Sequence, residues 1–576
     1  MRIGKLSVTH FRGISELEWV AAGASLCCLI GPGDSGKSTV LDAIEAALSA
    51  RWLSFNESDF HNCDTTKEIA IEITLGELSK SLLSDERFGM YVRGWSRDGV
   101  INDEPEDGDE PLLTVRLTVD ATMEPVWQLV CERAEVPRVL SNRDRALFGL
   151  VRLAGHDPRH LTWGQGSVLA RLTDSNDEAA RHLADAYRSA RASANLAGID
   201  ALKTASGEAE RLARSFGAYI NGAYGPGLEL TRGGFSSGSI ALHDNDVPLR
   251  LAGLGTRRLA TLAIQRASIL DGAIVLVDEI EHGLEPHRII GAIAQLKGAQ
   301  TEATTSGKPS GQLLMTTHSD VALGEMSPED IYVVRREPTS KYTTVALPSD
   351  PAHLTKIVKK SPRALFARKI LVCEGPTEVG LMLGLRELLP RNHHGVPIEQ
   401  RGAALVDGGG AEAPTVALAL AKLGYLVAMY RDSDRKLTAQ QARDLATVKV
   451  QVFQYPTAIH TETALFESAS DSHVQELIDA AREEKGAAAV NASIKQGIPE
   501  LELDTIKQSF SSWSLLEGVD DKELRVGLAK ISSDMSWFKK LHSGREIAPT
   551  ASKICTNAPA SSLAVCLSQV EQWLYE

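Results

Sequence analysis

Leu371-Val-Cys-Glu374-Gly-Pro-Thr-Glu378 is an apolar run that ends in two carboxylates four residues apart. Further along, Tyr425-Leu-Val-Ala-Met-Tyr-Arg-Asp432-Ser-Asp434 is a second apolar run, and it ends in Asp-x-Asp. Each reads as a buried strand that delivers acids at its carboxyl end, the edge at which open α/β sheets place their ligands. Carboxylates gathered there repel one another unless a cation neutralises them, and an all-oxygen donor set suits Mg²⁺ or Mn²⁺. Taken singly, either run also reads as a βα unit with an acidic turn, because Asp and Glu favour helix N-termini. Together, in this order, they point to a metal site.

The pair resembles a Toprim domain, the metal-binding fold of topoisomerases, primases and OLD-family nucleases, over residues 366–470. Between the two acidic strands, Ala403–Val406 reads as a short strand, and Asp407-Gly-Gly-Gly410 as the turn that opens a helix over Pro414–Leu423. Glu462, in Thr461-Glu-Thr-Ala-Leu-Phe466, is either a further carboxylate of the site or a helix-start acid. From residue 470 the chain reads as mostly helical, with Val474–Glu484, Lys522–Leu528 and Ser562–Tyr575 the clearest stretches. Within it, Ser536-Trp-Phe-Lys539-Lys540 presents lysine on an aromatic-flanked segment, suited either to a pentacovalent phosphate or to the protein surface.

Far upstream, Ala24–Ile30 reads as a strand running into Gly31-Pro-Gly33-Asp34-Ser35-Gly36-Lys37-Ser38-Thr39, followed by an amphipathic helix, Val40–Leu48. This is G-x-x-x-x-G-K-[ST] in the strand–loop–helix context that the Walker A motif requires. The glycines let backbone N–H groups wrap a phosphate, and the helix N-terminus adds the positive end of its dipole. Lys37 is placed for the β/γ-phosphates and Ser38 for Mg²⁺. Ala273-Ile-Val-Leu-Val-Asp278 followed by Glu279 is the Walker B counterpart, with Asp278 for the metal and Glu279 for the attacking water. The chain is expected to bind ATP with one Mg²⁺.

Lys37 and Asp278 lie 241 positions apart (278 − 37), far more than a compact P-loop unit needs. Split heads of this kind resemble the ABC-type ATPases of the RecF, Rad50 and SMC group, as does the Phe11-Arg12-Gly13 opening. Leu251-Ala-Gly253-Leu-Gly255-Thr-Arg-Arg258 opens a helix where that group carries its signature motif. Leu313-Leu-Met-Thr-Thr-His318 resembles the strand that ends in its switch histidine, and Gly283-Leu-Glu-Pro-His287 stands at the D-loop position. The resemblance implies paired heads, hence a homodimer or higher homo-oligomer.

The chain has 576 residues, enough for two to four domains, and its 43% hydrophobic and 24% charged residues are those of a globular protein. Its net charge of −14 argues against an overall basic surface for nucleic acid but leaves a local groove open. The run Lys356, Lys359, Lys360, Arg363, Arg368, Lys369 is a candidate for such a groove, or else a solvated linker face between Pro351 and Phe366. Seven scattered cysteines without a C-x-x-C pair suggest neither a zinc site nor a disulfide framework. With no signal-like opening and no apolar run of membrane-spanning length, a cytoplasmic protein is expected.

An ABC-type ATPase followed by Toprim resembles the OLD family of ATP-dependent nucleases, including the nuclease-subunit type of the Gabija anti-phage system. The resemblance implies an α/β chain with an ATPase domain over 1–355, interrupted by a helical, dimerising insertion at about 150–225, and a Toprim domain with a helical tail over 356–576. It implies that Glu374, Glu378, Asp432 and Asp434 hold two divalent metals for phosphodiester cleavage of DNA, with Glu462 beside them. A catalytic lysine is implied at Lys539, with Lys540 as an equally charged neighbour. A helicase partner protein is a further expectation of that family type. The alternative class is a DNA-repair or signalling ATPase whose Toprim part does not cut.

Overall fold

Arg2–Phe11 and Ile14–Val20 alternate buried and exposed side chains and pair as an antiparallel hairpin. Its turn is Arg12-Gly13, and Arg12 takes a left-handed φ of +49° to make it. The hairpin extends through Ile69–Gly76 and Glu110–Val119 into an eight-stranded antiparallel sheet. A second sheet has the order Val151–Leu153, Val275–Val277, Leu313–Thr316, Leu26–Ile30, Ile331–Arg336, Thr343–Ala346, all parallel except the last strand. The helix Lys37–Leu48 turns Val40, Leu41, Ile44 and Leu48 into a core shared by residues of both sheets. In this computed structural model the described residues are 1–576 except 22–23, 52, 85, 97–98, 154–160, 164–166, 170–195, 229–239, 308–310, 337–341, 349, 457 and 514–519. Residues 170–195 of the expected helical insertion at about 150–225 lie outside them. Asp200–Ser215, within the described remainder of that stretch, is amphipathic and packs Leu202, Ala205, Ala209 and Leu212 inward.

The chain divides into two units, Met1–Leu347 and Pro348–Glu576. The expected 355/356 division falls inside a helix, Pro351–Lys360, that belongs to the second unit. The linker reading of this segment is therefore corrected. Leu354, Ile357 and Val358 recur at helical spacing among the lysines and are buried, and the Asp350 carboxylate caps the first turn.

The second unit has a four-stranded parallel sheet ordered Ala403–Asp407, Lys369–Cys373, Leu426–Arg431, Gln451–Gln454. Its central strand is buried along its whole length, as a parallel strand covered on both faces must be. The helical tail is no appendage. Trp513, Trp537, Phe538, Val570 and Trp573 share one core with Leu371, Cys373, Ala428 and Tyr430 of the sheet. Among the described residues no helix is long and apolar enough to cross a membrane.

Candidate functional site

Two sites emerge, one in each unit. In the first, the strand Leu313–Thr316 lies between the P-loop strand and the Val275–Val277 strand, so Lys37, Asp278 and His318 all leave the same edge of the sheet. The loop backbone is glycine-dependent: Gly31 and Gly36 have φ of +140° and +98°, and a Cβ on Gly31 would stand 2.3 Å from the Val334 carbonyl oxygen. Gly33 and Asp34 are exposed at the tip, with Asp34 at φ +59°, and Ser35 is buried beneath them. Lys37 is 5% exposed and donates to the Pro32 and Gly31 carbonyls at 2.7 and 3.1 Å. Burial pushes its ammonium down to about 8, with Asp278 opposing. A charged donor held against two loop carbonyls lies where a P-loop lysine can donate to phosphate oxygens.

Asp278 gathers three donors. Ser38 Oγ and Thr316 Oγ1 reach Oδ1 at 3.0 and 2.6 Å, and Arg152 Nη2 reaches Oδ2 at 3.1 Å. Arg152 also contacts Asp42 at 2.5 Å and Glu45 at 3.3 Å on the P-loop helix, and Arg12 from the hairpin turn meets Asp42 at 2.5 Å. Glu279 takes a left-handed φ of +46°, a strained setting for a side chain of its kind. It is fixed by its N–H to Thr316 Oγ1 (2.8 Å) and by the buried Arg258, which donates to the Asp278 and Glu279 carbonyls at 2.6 and 2.8 Å. The His318 N–H is held by Glu281 Oε1 at 2.7 Å, and burial, then the Lys37 charge, lowers the imidazole's pKa. Gly253 starts the helix Leu254–Leu270, and a Cβ on Gly255 would meet the Gly283 carbonyl at 2.9 Å, so signature and D-loop segments touch through glycine. Thr39 continues the P-loop helix. Arg152 and Glu281 escaped the sequence reading, since nothing in their local spacing marks them, and Arg258 entered it only as part of the signature-like segment.

In the second unit the strand order reverses at Lys369–Cys373, so the crevice between it and Leu426–Arg431 is the topological switch point. Glu374 follows the first strand and Asp432 the second, and the Glu374 N–H donates to the Tyr430 carbonyl at 2.9 Å. Arg431, 5% exposed, sets its Nε 3.3 Å from Glu374 Oε2. Burial raises the Glu374 carboxyl and Arg431 opposes it. Glu378 is buried on the helix Pro376–Leu388; its Oε2 accepts the Gly375 N–H (3.1 Å) and its Oε1 the Thr461 hydroxyl (2.7 Å). Burial carries its pKa up to about 7.

Asp432 and Asp434 share one environment. Burial raises Asp432, whereas Asp434 is held low by its hydrogen bond with Asp432. Asp432 Oδ1 and Glu462 Oε1 are buried without a hydrogen-bond partner among the described residues, and Glu462 is 3% exposed. Buried carboxylate oxygens left open in this way fit a divalent cation. Glu374, Asp432 and Asp434 with Glu462 are the residues that would hold it. Glu378 stands beside them, with one donor on each carboxylate oxygen. His460, unnoticed in the sequence, stands 3.6 Å from both Asp432 Oδ2 and Asp434 Oδ2.

Part of the basic run is paired within the second unit. Lys356 pairs with Glu412 and Lys360 with Asp407, while Lys369 is buried with its ammonium on the Trp573 carbonyl at 2.8 Å. Of the two candidate lysines, Lys540 is paired with Glu484 at 2.8 Å, and Lys539 donates to the Ser533 hydroxyl at 3.3 Å. The segment is anchored beside the acidic helix, because Thr377 Oγ1 donates to the Phe538 carbonyl at 3.1 Å.

Two family models match the chain: "AAA domain, putative AbiEii toxin, Type IV TA system" over residues 169–324, and "Overcoming lysogenization defect protein-like, TOPRIM domain" over residues 365–434. No curated protein matches. Solved structures with a similar part include an SmcHead bound to the C-winged helix domain of ScpA, at 15% identity and TM-score 0.35, covering 60% of this chain and 97% of that one. Another is an Smc head domain derived from Pyrococcus furiosus, at 14% identity and TM-score 0.36, covering 60% and 95%. A third is the recombination mediator protein RecF, at 12% identity and TM-score 0.33, covering 60% and 98%. With the nucleotide cradle in the first unit and the acidic switch point in the second, the chain has an AAA-type ATPase domain followed by an OLD-like Toprim domain, matching the architecture of the OLD-family ATPase-nucleases.

Proposed function

We propose that the chain is an ATP-hydrolysing, divalent-metal-dependent DNA endonuclease whose cutting site is the acidic cluster of the second unit. The observation that carries this reading is the meeting of Glu374, Asp432 and Asp434 at the switch point, with Asp432 Oδ1 and Glu462 Oε1 buried and open. Two divalent ions bound there would supply the Lewis acidity and the activated water of phosphodiester hydrolysis. The chain's own residues set the stage. Arg431 orients Glu374, Thr461 and Gly375 hold Glu378, and Lys539 offers a cation to the developing phosphate charge.

In the first unit, Lys37 and the glycine loop bind the triphosphate, Ser38 and Asp278 take its Mg²⁺, Glu279 positions water, and His318 senses the γ-phosphate. Gly253 and Gly255 present the signature segment to a second head, so a homodimer is part of the reading. Hydrolysis of DNA is downhill, so nucleotide regulates cutting and does not drive its chemistry. A role in anti-phage defence and a helicase partner follow from the Gabija-type resemblance.

The test is incubation of the protein with supercoiled plasmid and Mg²⁺ or Mn²⁺, with and without ATP. Nicked or linear product is expected from the native chain, and a loss of at least about 100-fold from Glu374→Ala or Asp432→Ala. Either variant cutting at the native rate would overturn the acidic cluster as the cutting site, and no product from the native chain would favour the non-cleaving alternative.

A further inference from the structure

His460 stands where a ligand would stand. Its Nδ1 is 3.6 Å from Asp432 Oδ2 and 3.6 Å from Asp434 Oδ2, too far for a hydrogen bond to either. The three donor atoms lie within 4.8 Å of one another. Ligands that each sit about 2.1 Å from a single ion keep about this spacing from each other. Asp432 has, besides, a second oxygen buried and unpartnered.

The placement is built rather than incidental. Ser433, the middle residue of Asp-x-Asp, donates its N–H to the Ile459 carbonyl at 3.1 Å and accepts the Ile459 N–H on its hydroxyl at 3.2 Å. One residue beyond His460, the Thr461 hydroxyl is tied to Glu378 at 2.7 Å, and to the Tyr455 hydroxyl at 3.3 Å. The next residue, Glu462, is buried with an open oxygen, and its charge acts on Glu378. The segment 459–462 is thus tied to Ser433 of Asp-x-Asp on one side and to Glu378 of the helix Pro376–Leu388 on the other, and it brings one nitrogen and one carboxylate.

We infer that His460 is a direct ligand of the metal bound by Asp432 and Asp434, and that this nitrogen makes the site prefer a transition-metal dication, Mn²⁺ in the first instance, over Mg²⁺. The inference rests on the metal site of the proposed function. A neutral imidazole contributes to a borderline transition ion, whereas Mg²⁺ is hard, favours oxygen and keeps its waters. An all-carboxylate site would not separate the two ions in that way.

The experiment uses the metal-free full chain without nucleotide and reads binding, not cutting. Mn²⁺ is titrated by calorimetry, and bound Mn²⁺ is examined by pulsed electron paramagnetic resonance for ¹⁴N coupling, in the native chain and in His460→Ala, His460→Asp and Asp432→Ala. A ¹⁴N coupling that disappears in His460→Ala is expected, with Mn²⁺ affinity lowered at least about tenfold and Mg²⁺ affinity changed by less than about twofold. His460→Asp should regain Mn²⁺ binding without the coupling and should narrow the preference over Mg²⁺. If Mn²⁺ binds through Asp432 but the coupling and affinity are the same in His460→Ala, the ligand assignment fails and the metal site stands. If Asp432→Ala leaves Mn²⁺ binding unchanged in number and strength, the metal site of the proposed function fails with it.

Discussion

Lys37 is an ammonium kept out of water before any phosphate arrives, and its depressed pKa of about 8 has a readable consequence. Between about pH 8 and the unfolded value of 10.5 the unfolded chain holds the extra proton, so stability rises with pH in that window. Below pH 8 the buried charge works against folding. Triphosphate reverses the effect by favouring the charged form, so binding near pH 8.5 should take up close to one proton and weaken as pH rises further. Calorimetry in two buffers of different ionisation enthalpy reads this directly; equal heats in both would contradict it. In Lys37→Arg, whose guanidinium stays charged, the uptake should vanish. Lys37, Ser38, Asp278 and Asp432 were legible in the sequence because their motifs are contiguous and carry their own context. Arg152 and His460 were not, because each gains its role only when a distant strand or turn is folded against it.

The crossing of Pro376–Leu388 with Leu541–Glu546 is a matter of two small residues. A Cβ on Gly380 would stand 2.3 Å from the Leu541 carbonyl oxygen, and one on Gly544 would stand 2.6 Å from the Thr377 carbonyl oxygen. That closeness sets Phe538 and Lys539 against the start of the helix that carries Glu378. Gly380→Ala must push two backbones apart, at a cost of about 1–3 kcal/mol to the second unit. Urea unfolding should show that loss, with plasmid cleavage reduced and ATP hydrolysis kept; native stability in the variant would mean that the helices part easily. The short helices Leu541–Glu546 and Ala548–Asn557 were not read from sequence. Their apolar positions are few, and their packing depends on glycine, which carries no periodic signal. The ion pairs of the basic run were hidden for the complementary reason: the partners Asp407 and Glu412 lie some fifty positions further on, beyond any local pattern.

Across the whole molecule the two sites draw on separate units with separate cores, so their losses should separate too. Lys37→Ala and Glu279→Gln should both stop ATP hydrolysis. The first does so by weakening phosphate binding, and the second by leaving bound ATP with no group to activate water. Nucleotide retained after gel filtration distinguishes them: low in Lys37→Ala, near one per chain in Glu279→Gln. Equal low retention in both would contradict the assigned roles. Glu374→Ala should meanwhile hydrolyse ATP within about twofold of the native rate, since additivity holds for sites that share no partners.

The last helix, Ser562–Tyr575, closes the second unit from its far side, with Trp573 over Lys369 and the Tyr575 hydroxyl on the Val396 carbonyl at 2.9 Å. During synthesis this order matters. The strand that ends in Cys373 leaves the ribosome 189 positions (562 − 373) ahead of the helix that covers it. At about 5–20 residues per second, that is a wait of about 10–40 s. Throughout it, Leu371 lacks its core partners Val570 and Trp573, while every residue of the nucleotide cradle has already been made. A chain halted before residue 562 therefore carries a complete set of phosphate-binding residues and a second-unit core without Val570 and Trp573.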